Sequence, residues 1–469
     1  METAEQYADE VAGRAAGAAA FFRAFDQQQA DNVAEAVFRA AFAARIDLAR
    51  LAFEETQMGV LEHKAIKNAW ASLSVYEDIR NRRTAGVIAA DETSGITEIA
   101  QPRGAVLGTI PVTNPTSTTI FKALVCMKTR NPVIFSPHRG ARRCVKETTR
   151  LLSEAATAAG APPHAIQCIT RGRTEFLEAL MRHPKIALIL ATGTSPIVRM
   201  AQASGTPTLG VGPGNVPVYV HASADLAAAA RGIVHSKTFD NGTICASEQA
   251  LVVERDVAPA LKPLLEARGA HFCSPSETRA LGPVCWDSSQ RRMRADVVGQ
   301  PARVIAARAG FGVAEATRLL VAGLEGVGAA HPLSHEILAP VLALYVCDDY
   351  ENAVATCQAV TALGGVGHTV AVWASDESVI SRFAQMNAAR ILVNQPSTDA
   401  ALGGICNALR PSLTLACGTG ARNLSTDNIT TDHLLNIHRL VRARPNRRWT
   451  ETPRGKWSDP ATGPGQVAG

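Results

Sequence analysis

The chain has 469 residues, 46% of them hydrophobic and 19% charged, with a formal net charge of +5. At roughly 150 residues per domain that is two or three domains, and its ordinary glycine and proline usage excludes a disordered, collagen-like or coiled-coil chain. Five arginines near the C-terminus (Arg439, Arg442, Arg444, Arg447 and Arg448) carry the positive excess, because without them basic and acidic residues are equal in number; no nucleic-acid partner is expected.

In chain order, Met1–Glu10 is acidic and polar, unlike a secretory signal, and no apolar run nears the roughly 18 residues of a membrane span. No extra amphipathic targeting helix is expected before the body of the protein. Residues 31–58 read as one helix, with Val33, Val37, Phe38, Ala41, Leu48 and Leu51 at helical spacing and Gly59 as the stop. The stretch 88–102 reads as a hairpin arm. Val106–Ile110, a helix from Thr116 to Met127, and Val133–Phe135 then form a βαβ unit. Alternation continues through a helix at 144–158, a strand at 166–169, a helix at 175–181 and strands at 186–190, 209–211 and 216–220. Strands alternating with helices imply parallel sheet covered on both faces.

The pattern restarts near Ser236–Asp240, with strands expected at 250–253, 318–321, 342–346, 370–373 and 390–393. The expected domains are therefore 1–237, 238–425 and a C-terminal arm, 426–469, that is partly disordered and able to contact another subunit. With only about 40 residues beyond the second domain, no further domain is expected.

None of the strand–loop–helix turns carries a GxGxxG or Walker A motif. Gly210–Gly214 comes nearest, but it is interrupted by Pro213 and followed by a strand; a tight turn and a ligand cradle both remain open. The ten cysteines include no CxxC pair, which excludes a disulfide scaffold and gives no zinc ligand set, so no metal is expected. They read as free thiols in a reducing, cytoplasmic setting. The other nine read as buried and inert, and most of them fall in or beside predicted elements. Cys245 differs, because it lies in a loop of turn-formers and small polar residues at the domain boundary, where access and a lowered pKa can be supplied.

The segments Thr109–Ser117, Lys128–Asn131, Phe135–His138, Lys237–Gln249, His335–Pro340, Gly364–Thr369 and Pro411–Gly418 occur in register and resemble the CoA-acylating branch of the aldehyde dehydrogenase superfamily. The resemblance runs from about Glu54 to Ile437. It implies an α/β fold with a Rossmann-type cofactor domain, a second α/β catalytic domain and a small oligomerisation arm. It also implies NAD, or NADP, as cofactor, coenzyme A as cosubstrate and a homo-oligomer.

Residue by residue, the resemblance makes Cys245 the nucleophile and Asn114 a donor to the oxyanion. It places Ile110, Pro111, Val112, Thr113, Asn114, Gly193 and Gly212 along the dinucleotide, Glu336 on the nicotinamide ribose and Leu415 over the cofactor. His368 matches a histidine of the acylating branch, with proton transfer and a structural hydrogen bond both open. Leu209–Asn215 contains no acid where hydrolytic relatives carry a water-activating glutamate, which favours transfer of the acyl group to CoA. Ser136-Pro137-His138 replaces a cofactor-site lysine. The aldehyde is expected to be short, of the acetaldehyde, sulfoacetaldehyde or succinate semialdehyde type; Val393–Pro396 resembles the enzymes for charged aldehydes more, and Arg390, Arg410 and Arg422 are candidates to receive an acidic one. A hydrolytic enzyme and a non-catalytic binding subunit are the alternative readings.

Overall fold

A computed structural model describes residues 3–169, 171 and 174–467. Two parallel sheets form the centre of the molecule. The first has five strands in the order Ile166–Cys168, Val133–Pro137, Ala105–Ile110, Ile186–Thr192, Thr208–Val211. The second has seven, in the order Ala270–Cys273, Leu319–Gly323, Val341–Cys347, Glu248–Glu254, Val216–Val220, Gly367–Trp373, Ala388–Val393. Ala105–Ile110 and Val216–Val220 are buried at every residue, which is why they are apolar runs rather than alternating ones.

The crossover between the sheets comes earlier than expected. Val216–Val220 pairs with Glu248–Glu254 and with Gly367–Trp373, so the chain changes sheet at Gly212–Asn215 and not near residue 237. A buried strand pairs with whichever neighbour completes its ladder, and the composition of the following helix carries no information about that choice.

Two other expectations need correction. Residues 31–58 form two helices, Gln27–Ala43 and Arg45–Thr56, broken at Ala44. There the Arg45 guanidinium donates to the Phe42 carbonyl at 2.9 Å, competing for an acceptor of the last turn. The N-terminus does carry an additional helix, Ala4–Phe22, which buries Tyr7, Val11, Ala15 and Phe22. Tyr7 meets Phe176 of the helix Thr174–Arg182 edge to face at 5.1 Å, so this segment is part of the packed body.

The hairpin Gly86–Asp91 and Ile96–Pro102 is present, and Leu435–Val441 of the C-terminal arm adds a third antiparallel strand to it. The arm continues into two short helices, Arg447–Glu451 and Arg454–Ser458. Among the described residues no helix is long and apolar enough to cross a membrane.

Candidate active site around Cys245

Cys245 lies in the loop between the helix Leu226–Thr238 and the strand Glu248–Glu254, and it is partly buried. The loop turns through left-handed conformations at Asp240 (φ 48°), Asn241 (φ 53°) and Gly242 (φ 70°). Two successive non-glycine residues there are strained and persist only when their surroundings hold them. Asp240 provides the hold. Its carboxylate accepts from the Val60 N–H at 2.7 Å, the Thr243 hydroxyl at 2.8 Å and Lys64 Nζ at 3.1 Å, and pairs closely with Lys67. Its own N–H donates to His63 Nδ1 at 2.8 Å. Burial pushes the Asp240 carboxyl up, but Lys67 and Lys64 outweigh it and keep the group an anion.

Asn114 comes from the side of the five-stranded sheet, at the start of the helix Pro115–Lys128. Its Oδ1 accepts from Lys67 Nζ at 2.5 Å, and its Nδ2 donates to the Thr243 carbonyl at 3.3 Å and to Thr113 Oγ1 at 3.1 Å. The amide therefore reaches the cysteine loop two residues before Cys245.

Glu336 and His368 meet Cys245 around Gly214. The Gly214 N–H donates to Glu336 Oε1 at 2.9 Å. A Cβ at Gly214 would lie 1.9 Å from the Cys245 carbonyl oxygen and 3.4 Å from His368 Cε1. Burial pushes Glu336 up to about 8, despite the Gly214 hydrogen bond and the charge of Lys237. Lys237, buried beneath, donates to Gln249 Oε1 at 2.8 Å and to the Ile337 carbonyl at 3.0 Å. His368 shares a hydrogen bond between Nδ1 and Thr369 Oγ1 at 2.9 Å, while its buried Nε2 has no partner. Burial and the neighbouring Arg390 push its imidazole down to about 3, so it is neutral. Contrary to the lowered pKa expected of its loop, the Cys245 thiol is pushed up to about 12, by burial first and then by Glu336 and Cys417, with Arg390 pulling the other way.

The residues expected along the dinucleotide gather at the C-terminal edge of the five-stranded sheet, where open α/β sheets bind ligands. Ile110–Asn114 follows one strand, Gly193 another and Gly212 a third. The 3-10 turn at Arg139–Ala141 sits against the first loop, since a Cβ at Gly140 would come 3.5 Å from Val112 Cγ2. Helix N-termini decide where phosphate can dock. The N–H groups of Arg143 and Cys144 are already bound by Glu55, at 2.8 and 2.7 Å. The helix Ser195–Gln202, after Gly193, has no side-chain cap, but Pro196 brings no N–H to its first turn and the N–H groups of Ile197 and Val198 donate to the Thr194 carbonyl at 3.0 and 3.2 Å. Leu415 is buried beside Cys417, whose thiol donates to the Leu415 carbonyl at 3.2 Å.

Of the arginines proposed as anion receptors, Arg390 lies close enough for its charge to act on Cys245, but its donors are committed elsewhere. Arg390 is buried and spends its donors on the carbonyls of His368 (2.8 Å) and Ala416 (2.9 Å), on Thr369 Oγ1 (3.2 Å) and on Asn428 Oδ1 (3.2 Å). Arg410 is paired with Asp78 and Asp432, and Arg422 is exposed. Among the described residues one group of metal-type ligands, His271, Cys273 and Glu277, lies within 4.8 Å, but Glu277 is already engaged by the Ser274 N–H and by His271.

Lys64 and Lys67 are the residues that reading the chain missed. They lie three apart in the helix Leu61–Ile79, a spacing shared by many surface lysines, and only the fold buries both against Asp240.

The aldehyde dehydrogenase family model matches residues 1–406, and the chain belongs to that family. It is 41% identical over 422 residues to an aldehyde-alcohol dehydrogenase of Streptococcus pneumoniae, covering 88% of this chain and 48% of that protein. It is 36% identical over 423 residues to the acylating sulfoacetaldehyde dehydrogenase of Cupriavidus necator, covering 89% of this chain and 85% of the other. The crystal structure of an acetylating aldehyde dehydrogenase from Geobacillus thermoglucosidasius superposes with a TM-score of 0.92 at 40% identity, covering 94% of this chain and 98% of that one. The chain spans about half the length of the aldehyde-alcohol dehydrogenases it matches.

Proposed function

We propose that this chain is a CoA-acylating aldehyde dehydrogenase that converts a short aldehyde to its acyl-CoA through a thioester on Cys245. The carrying observation is the convergence of the Asn114 amide, Glu336 and His368 on the Cys245 loop, in a site whose Leu209–Asn215 segment offers no acid to activate water. The Cys245 thiol releases its proton to solvent, its thiolate adds to the aldehyde carbonyl, and the oxyanion formed takes hydrogen bonds from Asn114 Nδ2 and the Cys245 N–H. NAD or NADP, when bound, accepts the hydride that leaves that carbon. The resulting thioester waits for the CoA thiolate, whose addition uses the same two donors and returns the Cys245 thiolate.

In this reading Glu336 holds the nicotinamide ribose and Leu415 closes over the cofactor. His368 serves as an uncharged hydrogen-bonding group, because a base held near 3 is too weak to carry the thiol proton of CoA. Residues 136–143 contain no carboxylate to select the ribose 2′-hydroxyl, which leaves both coenzymes open. The employed state of Arg390 and Arg410 favours a small uncharged aldehyde over an acidic one. The three-stranded sheet, with Val87, Leu440 and Val441 exposed, is proposed as the arm that joins subunits.

The test is steady-state turnover of acetaldehyde, sulfoacetaldehyde and succinate semialdehyde, each with NAD or NADP and with or without CoA. CoA-dependent formation of acetyl-CoA is expected to dominate. NADH formation indifferent to CoA would instead support the hydrolytic reading.

A further inference from the structure

We propose that Lys67, held in place by Asp240, is the positioning residue that orients the Asn114 amide toward the reacting carbon. The inference rests on Cys245 being the nucleophile and goes beyond it. A side-chain amide can sit in two orientations, and only its neighbours choose between them. An ammonium group has donors and no acceptor. With Lys67 Nζ 2.5 Å from Asn114 Oδ1, the flipped amide would set N–H against N–H. The observed orientation turns Nδ2 toward the cysteine loop, where it reaches the Thr243 carbonyl.

The lysine is itself over-determined. Its side chain is 4% exposed, and its partner Asp240 is fully buried. Asp240 also binds Lys64, Thr243 and the Val60 N–H, and Lys64 Nζ in turn lies 3.4 Å from the Thr113 carbonyl. No side chain fits at Gly59, where a Cβ would lie 2.0 Å from Asp240 Oδ1. The two oxyanion donors come from different segments, the Asn114 side chain from the cofactor loop and the Cys245 N–H from the strained turn. One buried lysine–aspartate pair ties both segments to the helix Leu61–Ile79. Two lysines around one aspartate are costly to bury. Coupling the halves of an oxyanion site is a use that accounts for where they are placed.

The experiment compares Lys67→Met, Lys67→Arg, Asn114→Ala and the double variant Lys67→Met/Asn114→Ala. Asp240 keeps Lys64 as a partner in every case. Two reactions are followed, aldehyde oxidation with CoA and the Cys245-dependent cleavage of p-nitrophenyl acetate, which forms an oxyanion without coenzyme. Lys67→Met is expected to lower kcat in both by roughly 10²-fold, the scale of one lost oxyanion donor, with KM within about threefold. Lys67→Arg, which keeps a donor, should recover a part of the loss. In the Asn114→Ala background the same change should cost less than about threefold, because its target is gone. Alkylation of Cys245 by iodoacetamide, which forms no oxyanion, should stay within about twofold, and a purely structural role would not spare it.

Turnover by Lys67→Met close to the parent's, a full multiplicative loss in the double variant, or alkylation falling in step with turnover would each overturn the proposal. Failure of the aldehyde reading shows separately, as a parent that oxidises no aldehyde yet still cleaves the ester. A parent in which Cys245 supports neither reaction overturns both.

Discussion

The carbonyl oxygen of Cys245 occupies the space that a side chain on Gly214 would need, 1.9 Å from where its Cβ would begin. Both partners are backbone, so no rotamer change relieves the contact. Gly214→Ala must therefore displace the cysteine loop or the Gly212–Asn215 crossover. Misplacement of about 1 Å costs on the order of 10²-fold in rate, and a loss of at least that size is expected in kcat for acyl-CoA formation.

Gly212, two residues earlier, behaves differently in the free protein. A Cβ there would meet only Ala421 Cβ at 4.0 Å, ordinary contact. Gly212→Ala should leave the thermal midpoint within about 1 °C of the parent's. If the dinucleotide lies along this residue, the added methyl should weaken NAD binding by roughly tenfold, read by titration calorimetry. Unchanged affinity would remove Gly212 from the cofactor site.

The elevated Cys245 thiol gives a pH prediction whose sign follows from Glu336. A carboxylate anion beside the sulfur opposes the thiolate, so Glu336→Gln should move the midpoint of iodoacetamide alkylation to lower pH. At pH 8 and above, where Glu336 is becoming ionised in the parent, alkylation should be roughly three- to tenfold faster in the variant. A midpoint that moves upward would mean that Glu336 stabilises the thiolate.

His368, pushed down to about 3, stays neutral as pH falls through 6.5. The pH profile of acyl transfer to CoA should therefore lack an acid limb near 6.5 attributable to His368. Comparing the profile of the parent with that of His368→Gln checks this. A limb present in the parent and missing in the variant would make the histidine a titrating base.

Arg390 is expected to matter for stability and not for anionic substrates. Replacing it with Met strips donors from the His368 and Ala416 carbonyls, a change expected to cost about 3 kcal/mol or more in urea unfolding. Arg390→Lys should lower stability less and leave the ratio of sulfoacetaldehyde to acetaldehyde turnover within about threefold.

How much of this could be read along the chain depends on how local each signal is. Most sheet strands are short apolar runs between turns, so their existence and the alternation with helices were legible. Cys245, Asn114, Glu336 and His368 lie in short motifs with a family resemblance, and the fold brings them together. The break at Ala44 was not legible, because helical periodicity continues across it. The sheet boundary was missed because the pairing partners of Val216–Val220 lie far along the chain. Lys67 and Asp240 are 173 residues apart and leave no local trace.

By itself the sequence determined the α/β alternation, the family resemblance and the identity of the special cysteine, all of which rest on patterns within a few residues of one another. The packing of distant segments sets which arginines are already employed, that His368 is neutral, that Glu336 is hard to ionise, and that a buried lysine donates to Asn114 Oδ1. Ionisation and hydrogen-bond partnership depend on desolvation and on neighbours that meet only when distant segments pack together.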